Sequence, residues 1–155
     1  MKILMVCLGN ICRSPMAHGL LQHKVEQRGM DWEVDSAGTG DWHRGQQPDH
    51  RAIACMKKHS IDITYQSARP IIYDDFQQFD LIYVMDRSNF ENVERMARNE
   101  EDMNKVKLLL SEIYPEGAEV PDPYYGGDAG FERVYQLLDE ATEKILERYS
   151  CHTKT

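Results

Sequence analysis

The sequence lacks the features that mark several large classes of protein. Its 155 residues contain no apolar run that approaches the ~20 residues of a membrane-spanning helix, so we expect no membrane partner. Acidic residues outnumber basic ones and give a formal net charge of −8, which argues against a nucleic-acid-binding protein or a polybasic membrane anchor. The apolar stretch near Met1 is too short for a signal peptide.

Cysteine is also scarce, and the spacing of the cysteines indicates no metal site. They form neither a Cys-x-x-Cys pair nor a Cys/His zinc pattern, and the four stand at Cys7, Cys12, Cys55 and Cys151. We therefore expect a reduced, cytoplasmic protein that needs no metal and no other cofactor. The length suits a single domain over residues 1–155, with a frayed tail from about residue 150, and we expect a monomer.

The most informative stretch runs from Cys7 to Pro15. Cys7 and Arg13 stand six positions apart, after an apolar run and before a long amphipathic segment. This order predicts a strand, a tight loop and a helix, and such a loop directs backbone N–H groups and a helix N-terminus at one point. Arg13 adds a bidentate fork for a phosphate, and the positive field favours the thiolate form of Cys7. These residue types predict phosphate-ester chemistry with Cys7 as the nucleophile. The predicted phosphate-binding residues are Leu8, Gly9, Asn10, Ile11, Cys12 and Arg13.

Ser14 and Pro15 predict the start of the helix, because serine is a favoured N-cap and proline is favoured at the first helical position. The Ser14 hydroxyl is also a candidate donor to the Cys7 thiolate, which it would stabilise as a leaving group. A plain structural alternative makes Ser14 only a cap and Cys7 a buried thiol at the end of a strand. The combination of Cys, Arg and Ser in one strand-loop-helix context favours the chemical role.

The apolar pattern along the chain predicts the fold. Four segments are expected to form buried strands, at residues 2–6, 32–37, 81–85 and 106–110. Helices are expected from Ser14 to about residue 28, at residues 49–59 and 89–96, and from Phe131 onward. Strands that alternate with helices predict a three-layer α/β fold, with a four-stranded parallel sheet and helices on both faces. Residues 69–79 are expected to be irregular, residues 100–102 to be a solvated acidic run, and Cys55 to fill the core.

Asp122 is the best candidate for a general acid. It lies between two prolines in a stiff segment that follows a predicted strand, so its carboxyl group can be held over the phosphate loop. The structural alternative is that Asp-Pro is a common turn dipeptide. Tyr124 and Tyr125 in the same segment, with Trp42 from a glycine-rich loop, are candidate walls of an aromatic slot. Each of these rings could equally anchor the core.

These stretches together resemble the low-molecular-weight protein tyrosine phosphatases, and the resemblance covers nearly all of the chain. Residues 6–15 resemble the phosphate loop of that family without a mismatch, and residues 122–126 resemble its general-acid loop. Shorter stretches similar to the family lie at residues 35–38, 48–52, 68–71, 75–76, 79–80 and 85–86. A bare Cys-x5-Arg pattern is a weak signal, but the whole loop combined with a distant acid loop is a strong one.

The resemblance implies a cysteine-dependent phosphatase that acts on phosphotyrosine proteins or aryl phosphates without a cofactor. It implies that Cys7 forms a phosphocysteine, that Arg13 binds the phosphate and the transition state, and that Ser14 assists departure of the thiolate. Asp122 would act as the acid in the first step and as the base for water in the second.

The resemblance also implies which residues support and surround the loop. Asn10 and Ser36 would brace it by hydrogen bonds, whereas a brace that some members contribute near residue 66 is absent here, where the chain has Gln66. The residues implied to shape the pocket are Leu8, Ile11, Trp42, Tyr124 and Tyr125.

Cys12 is a candidate redox partner of Cys7. The loop that joins them must curl around one anion, so the two thiols can approach closely enough for a disulfide. The family resemblance favours this redox role over a plain packing role for Cys12.

Three other functions remain open. Thioredoxin-coupled arsenate reduction uses a similar loop, but it needs two further cysteines near the third strand, and residues 81–91 contain none. A protein-arginine phosphatase would resemble this family but carries threonine where Ile11 stands and lacks the paired tyrosines. A non-catalytic phosphopeptide-binding module would need neither Cys7 nor Asp122.

Overall fold

The computed structural model describes residues 1–125 and 127–150. Its strands are β1 (Lys2–Cys7), β2 (Glu33–Gly38), β3 (Leu81–Val84) and β4 (Val106–Leu108). Its α-helices are α1 (Arg13–Gln27), α2 (His50–Lys58), α3 (Asp74–Gln78), α4 (Arg87–Met96), α5 (Glu100–Asn104) and α6 (Gly127–Ser150). Two short 3₁₀ helices cover Leu109–Glu112 and Pro123–Tyr125.

The four strands form one parallel sheet in the order β2-β1-β3-β4. The chain moves from β1 to one side to form β2 and then to the other side to form β3, so the strand order reverses at β1. In open α/β sheets, ligands bind at the carboxyl end of the strands at such a reversal. Cys7 is the last residue of β1 and therefore lies at this position.

Helices cover both faces of the sheet, which confirms the predicted three-layer α/β fold. Alternate residues of β1 face opposite sides, so Ile3 and Met5 belong to one core and Leu4 and Val6 to the other. The larger core joins the sheet to α1, α2 and α6 through residues such as Met16, Leu20, Met56, Val134 and Leu138. The smaller core joins it to α3 and α4 through Phe76 and Val93.

Several sequence-based boundaries were wrong for identifiable reasons. Ser14 does not cap α1, because the N-cap residue is Cys12 and Ser14 lies within the helix with its side chain bonded elsewhere. The segment 69–79 contains the short helix α3, and α6 begins four residues before Phe131. The fourth strand ends at Leu108 and continues as a 3₁₀ helix.

The acidic run 100–102 is not simply solvated. It forms the first turn of α5, where negative charge favours a helix N-terminus, and Asp102 is buried. The Asp102 carboxylate accepts a hydrogen bond from the Tyr73 hydroxyl at 2.8 Å and one from the backbone N–H of Arg98 at 2.9 Å. Asp102 thereby connects three segments.

The two remaining expectations concern the packing of Cys55 and the tail beyond Ser150. Cys55 is buried, as expected, but its thiol also lies 3.6 Å from a carboxylate oxygen of Glu132 on α6. Cys151 and the rest of the predicted tail beyond Ser150 lie outside the described residues. Within the described ranges, no helix is both long enough and apolar enough to cross a membrane.

Candidate active site

The loop from Cys7 to Arg13, termed the phosphate loop below, joins β1 to α1 in a tight curve. Asn10 adopts the left-handed conformation with φ of 56°, which asparagine tolerates better than most residues. Its side chain fixes that conformation by donating to Ser14 Oγ at 2.8 Å and accepting from the backbone N–H of Arg69 at 3.1 Å. These two hydrogen bonds connect the loop to the first turn of α1 and to the segment at Arg69.

The backbone of the phosphate loop directs N–H groups toward its centre. The carbonyl groups of Cys7, Leu8 and Ile11 accept outer hydrogen bonds from the N–H groups of Thr39, Gly40 and Asp49 at 2.9, 2.9 and 2.8 Å. In a trans peptide the following N–H points away from the carbonyl, and among the described residues no peptide bond is cis. Outward carbonyls therefore leave inward N–H groups, which is the arrangement that binds an oxyanion.

Cys7 and Ser14 are in contact at the base of the loop. Their Sγ and Oγ atoms lie 3.0 Å apart, and both residues are buried. Asn10 donates to Ser14 Oγ, so the one hydroxyl hydrogen of Ser14 can be directed at the sulfur at 3.0 Å or at the more distant carbonyl oxygen of Ala37 at 3.4 Å. This geometry suits a serine that stabilises the Cys7 thiolate.

Arg13 is buried and held by an aspartate that the sequence analysis did not assign. Its Nη1 donates to Asp86 Oδ2 at 2.7 Å and to the carbonyl oxygen of Val120 at 3.0 Å. Burial opposes the charge of Arg13, but the thiolate of Cys7 and the carboxylate of Asp86 outweigh burial and raise the pKa of Arg13. Asp86 also caps α4. It stands two residues after the end of β3, and this position at the carboxyl end of a strand was the signal in the sequence that could have identified it as a site residue.

A pocket of about 310 Å³ opens above the phosphate loop. Its lining gathers three separate segments of the chain, namely Cys7, Leu8, Gly9, Ile11, Cys12 and Arg13, then Trp42 and His43, and finally Asp122 and Tyr124. Trp42, Asp122 and Tyr124, termed the rim below, were all predicted to meet here. His43 was not assigned in advance, and its ring lies against Gly9.

The side chains of the rim are exposed. Trp42 has 67% of its surface exposed and Tyr124 has 41%. The Trp42 ring lies so close to Gly40 that a Cβ atom there would stand 2.0 Å from Trp42 Cζ3. Asp122 Oδ1 accepts from the backbone N–H of Tyr124 at 3.0 Å, which closes a local turn. The side chain of Tyr125 lies outside the described part of the structure.

Cys12 lines the same pocket, and its surroundings favour the neutral thiol. It is buried at the start of α1, and burial, Asp49 and the thiolate of Cys7 each raise the pKa of the Cys12 thiol. Cys12 is therefore a neutral thiol at neutral pH. Both Cys7 and Cys12 are free cysteines in the structure.

Ser36 lies beneath the loop and pairs with a residue that the sequence analysis did not name. Its hydroxyl lies 3.2 Å from Nδ1 of His18, while Gln66 donates to the carbonyl oxygen of Pro15 at 2.9 Å. Ser36 thus supports the region of α1 that follows the loop. Burial of His18 lowers its pKa to about 4, against the opposite influence of Asp35.

Across residues 1–125 and 127–150, no group of three or more His, Cys, Asp or Glu side chains could hold a metal ion.

Comparison with known proteins agrees with this geometry. The family model described as low molecular weight phosphotyrosine protein phosphatase matches residues 2–154. The phosphatase of that name from Schizosaccharomyces pombe is 43% identical in an alignment of 151 residues that covers 94% of this chain and 95% of that protein. A protein tyrosine phosphatase structure from Entamoeba histolytica has a TM-score of 0.91 and 34% identity, with 99% of each chain covered. The structure of an arginine phosphatase from Drosophila has a TM-score of 0.89 and 40% identity, with 96% of this chain and 98% of that chain covered.

Proposed function

Because the chain belongs to the low molecular weight phosphotyrosine protein phosphatase family, we propose that it hydrolyses phosphotyrosine monoesters through a phosphocysteine on Cys7. The observation that carries this proposal is the single pocket shared by Cys7, Arg13 and Asp122. A nucleophile and an anion-binding arginine form its floor, and a carboxyl group stands at its rim. This combination supplies the parts that phosphate-monoester hydrolysis requires.

In the first step, the Cys7 thiolate attacks phosphorus while the bond to the tyrosine oxygen breaks. The inward N–H groups of the loop and the guanidinium of Arg13 stabilise the charge on the phosphoryl oxygens. Asp122, in its protonated form, gives its proton to the departing phenolate. The products are free tyrosine side chain and phosphocysteine.

In the second step, the Asp122 carboxylate takes a proton from water as the water attacks phosphorus. The bond between sulfur and phosphorus breaks, and the thiolate of Cys7 leaves with inorganic phosphate as the product. The Ser14 hydroxyl, 3.0 Å from the sulfur, stabilises that leaving thiolate. No step requires a metal ion.

We propose that selectivity for tyrosine depends on simultaneous contact of the substrate with the phosphate loop and with the rim. An aryl phosphate can hold its phosphate on the phosphate loop while its ring lies between Trp42 and Tyr124. A phosphoserine is too short to do both. The paired tyrosine Tyr125 is assigned to the same slot on the strength of the sequence pattern.

Arginine phosphatase activity is the second candidate, because the Drosophila arginine phosphatase structure is 40% identical to this chain. Ile11 argues against it, since its apolar side chain lines the pocket where the sequence analysis expects threonine in arginine phosphatases. The deciding assay compares turnover of phosphotyrosine peptide, phosphoserine peptide, phosphoarginine and arsenate by the same preparation. Preference for phosphotyrosine supports the proposal, whereas preference for phosphoarginine or equal use of phosphoserine overturns it. The Cys7→Ser variant measures any contaminating activity.

We also propose that Cys12 protects the nucleophile against oxidation. Peroxide converts the Cys7 thiolate into a sulfenic acid, and the Cys12 thiol then displaces water from it to form a disulfide. Peroxide followed by a dithiol should restore the parent protein but not Cys12→Ser. Equal recovery of both, without a linked peptide, would leave Cys12 with a packing role only.

We also propose a cellular location and an oligomeric state for the protein. The chemistry needs Cys7 reduced, and the described cysteines are free thiols, which supports a cytoplasmic location. We also propose a single-domain monomer, in which three segments of the same α/β fold line the pocket. Sedimentation at catalytic concentrations tests the monomer, since a dimer would contradict it.

A further inference from the structure

The segment that carries Asp122 has a local shape that does not by itself set its distance from the phosphate loop. The bond from Tyr124 N–H to Asp122 Oδ1 closes a turn within the segment, and the following 3₁₀ helix spans Pro123–Tyr125. Asp122 itself is exposed. On the side that precedes Asp122, the segment is already tied to the site, because Val120 donates to the carbonyl oxygen of Met85 at 2.8 Å and accepts from Arg13 at 3.0 Å. A contact on the side that follows Asp122 would complete its placement above Cys7.

Arg51, in the first turn of α2, makes such a contact. Its Nη1 donates to the carbonyl oxygen of Tyr124 at 2.7 Å. Its guanidinium carbon lies 5.0 Å from the ring centroid of Tyr124 and 5.0 Å from that of Phe131, which is buried at the start of α6. Arg51 thus holds the backbone and a ring of the acid segment by one planar group.

The same guanidinium is fixed on its other side by Asp49. Nε and Nη2 of Arg51 donate to the two carboxylate oxygens of Asp49 at 3.0 and 3.1 Å. Burial disfavours the charged form of Asp49, but the bonds from Arg51 outweigh burial and lower the pKa of Asp49. The backbone N–H of Asp49 in turn donates to the Ile11 carbonyl oxygen of the phosphate loop at 2.8 Å. A continuous set of contacts therefore runs from Ile11 through Asp49 and Arg51 to Tyr124.

We propose that Arg51 is a positioning residue that sets the distance between the phosphate loop and the general acid Asp122. This inference rests on the proposed function, because it assigns a role within the same reaction. Proton transfer to a leaving group depends steeply on distance, and a displacement of about 1 Å can cost roughly 100-fold in rate. Arg51 touches neither substrate nor the reacting atoms in this role.

The alternative is that the Asp49–Arg51 pair only stabilises α2. Asp49 does cap that helix, since its side chain accepts from the backbone N–H of Arg51 at 2.8 Å. A purely structural pair would change stability and lower turnover of all substrates alike. A positioning role acts through the proton of Asp122 and must depend on how much the leaving group needs that proton.

The experiment compares Arg51→Met and Arg51→Lys with the parent across a series of aryl phosphates. The matched control is Arg28→Met, because Arg28 also binds a carboxylate through two short contacts, to Glu143 at 2.8 and 3.0 Å, but at the opposite end of α1 from the site. The measured quantity is kcat/KM, together with the inhibition constant of inorganic phosphate.

We expect Arg51→Met to lose about 10- to 100-fold in kcat/KM for phenyl phosphate and little for dinitrophenyl phosphate, whose leaving group needs no proton. Arg51→Lys should recover part of the loss, because lysine can donate to Tyr124 but cannot form the fork to Asp49. Phosphate inhibition should be unchanged in both variants, and Arg28→Met should resemble the parent. In an Asp122→Asn background, Arg51→Met should cause no further loss.

Equal losses across the series, or additive losses in the double variant, would overturn the proposal. Amide hydrogen exchange gives a readout that does not depend on activity. Arg51→Met should speed exchange in the peptide that contains Asp122 without affecting the peptide that contains Cys7, and unchanged exchange in both would contradict positioning. If the parent hydrolysed no aryl phosphate, the proposed function would fail, and the exchange result would still decide whether Arg51 holds the segment.

Discussion

The phosphate loop and the rim of the same pocket are built in opposite ways. Cys7, Asn10 and Arg13 are each 3% exposed, whereas Trp42 is 67% exposed and Tyr124 is 41% exposed. The loop is one contiguous segment whose outward carbonyls are bonded to neighbouring segments. The rim comes from two distant segments, in which Tyr124 accepts a hydrogen bond from Arg51 and the Trp42 ring packs against Gly40.

This difference indicates a division of labour. The loop binds a group that is the same in every substrate, so a rigid and buried site serves it well. The rim meets the part of the substrate that varies and must also admit and release it. We therefore expect changes in the loop to lower turnover of all substrates and changes in the rim to lower turnover selectively.

The largest effect is expected from Arg13→Lys. Lysine cannot reproduce the planar contacts to Asp86 and to phosphate, so kcat/KM should fall by about 10³- to 10⁵-fold. The loss should be similar for phenyl and dinitrophenyl phosphates, because the phosphoryl group is common to both. A loss confined to one class of leaving group would contradict the expectation that changes in the loop affect all substrates alike.

Asp122→Asn should come next, with a fall of roughly 10²–10⁴-fold for poor leaving groups such as the tyrosine phenol. Because an activated phenol departs without a proton, kcat/KM for dinitrophenyl phosphate should change much less. A leaving-group series measured on the variant checks this. Equal losses for all leaving groups would show that Asp122 is not the acid and that it affects every substrate alike, as the loop residues are expected to do.

Gly40→Ala should act on selectivity alone. The new Cβ would overlap the Trp42 ring at 2.0 to 2.6 Å from three of its atoms, so the ring must leave its position. Loss of one aromatic contact should lower kcat/KM for phosphotyrosine peptide by roughly 2- to 10-fold. Inhibition by inorganic phosphate should not change.

Trp42→Ala provides the matched test of that explanation. The double variant Gly40→Ala/Trp42→Ala should equal Trp42→Ala alone, since Gly40 matters only through the indole. A further loss in the double variant would show that Gly40 acts through the backbone of the loop instead.

The smallest effect on turnover is expected from His18, which should govern stability at low pH. Its folded pKa is about 4, whereas the unfolded chain binds the proton near 6.5. Between these values the unfolded state holds more protons, so stability should fall as the pH drops through this window, by up to about 3 kcal/mol. Urea unfolding across the window should show a weaker pH dependence for His18→Gln than for the parent. Parallel curves would exclude His18 as the source.

The phosphate loop could be predicted from the sequence more directly than the rim. Cys7, Arg13 and their loop could be predicted because strand, loop and helix are contiguous and each has a local signal. The α/β fold followed from the continuous apolar runs of β1 and β3. Asp122 and Trp42 could be proposed as partners only by their chemistry, because nothing local states which distant segments meet.

The residues that the sequence analysis missed act across such distances. Asp86 is the N-cap of α4, and Arg51 lies in the first turn of α2 beside the N-cap Asp49, so each has a local explanation. Only the folded chain shows their partners in other segments. The N-cap assignment of Ser14 was wrong because it relied on a local preference alone. A strong local preference yielded to the tertiary contact between its hydroxyl and Cys7. The acidic residue Asp102 was likewise buried by contacts with Tyr73 and Arg98.

The central claim is that the loop performs covalent chemistry while the rim supplies the proton and the selectivity. The most direct test mixes Asp122→Asn with dinitrophenyl phosphate, denatures the protein rapidly and locates phosphorus by peptide mass spectrometry. The variant should still form phosphocysteine but hydrolyse it slowly, so a phosphoryl group should accumulate on Cys7 and not on Cys12. Continued turnover with no phosphoryl group on Cys7, or with the group on another residue, would contradict the account.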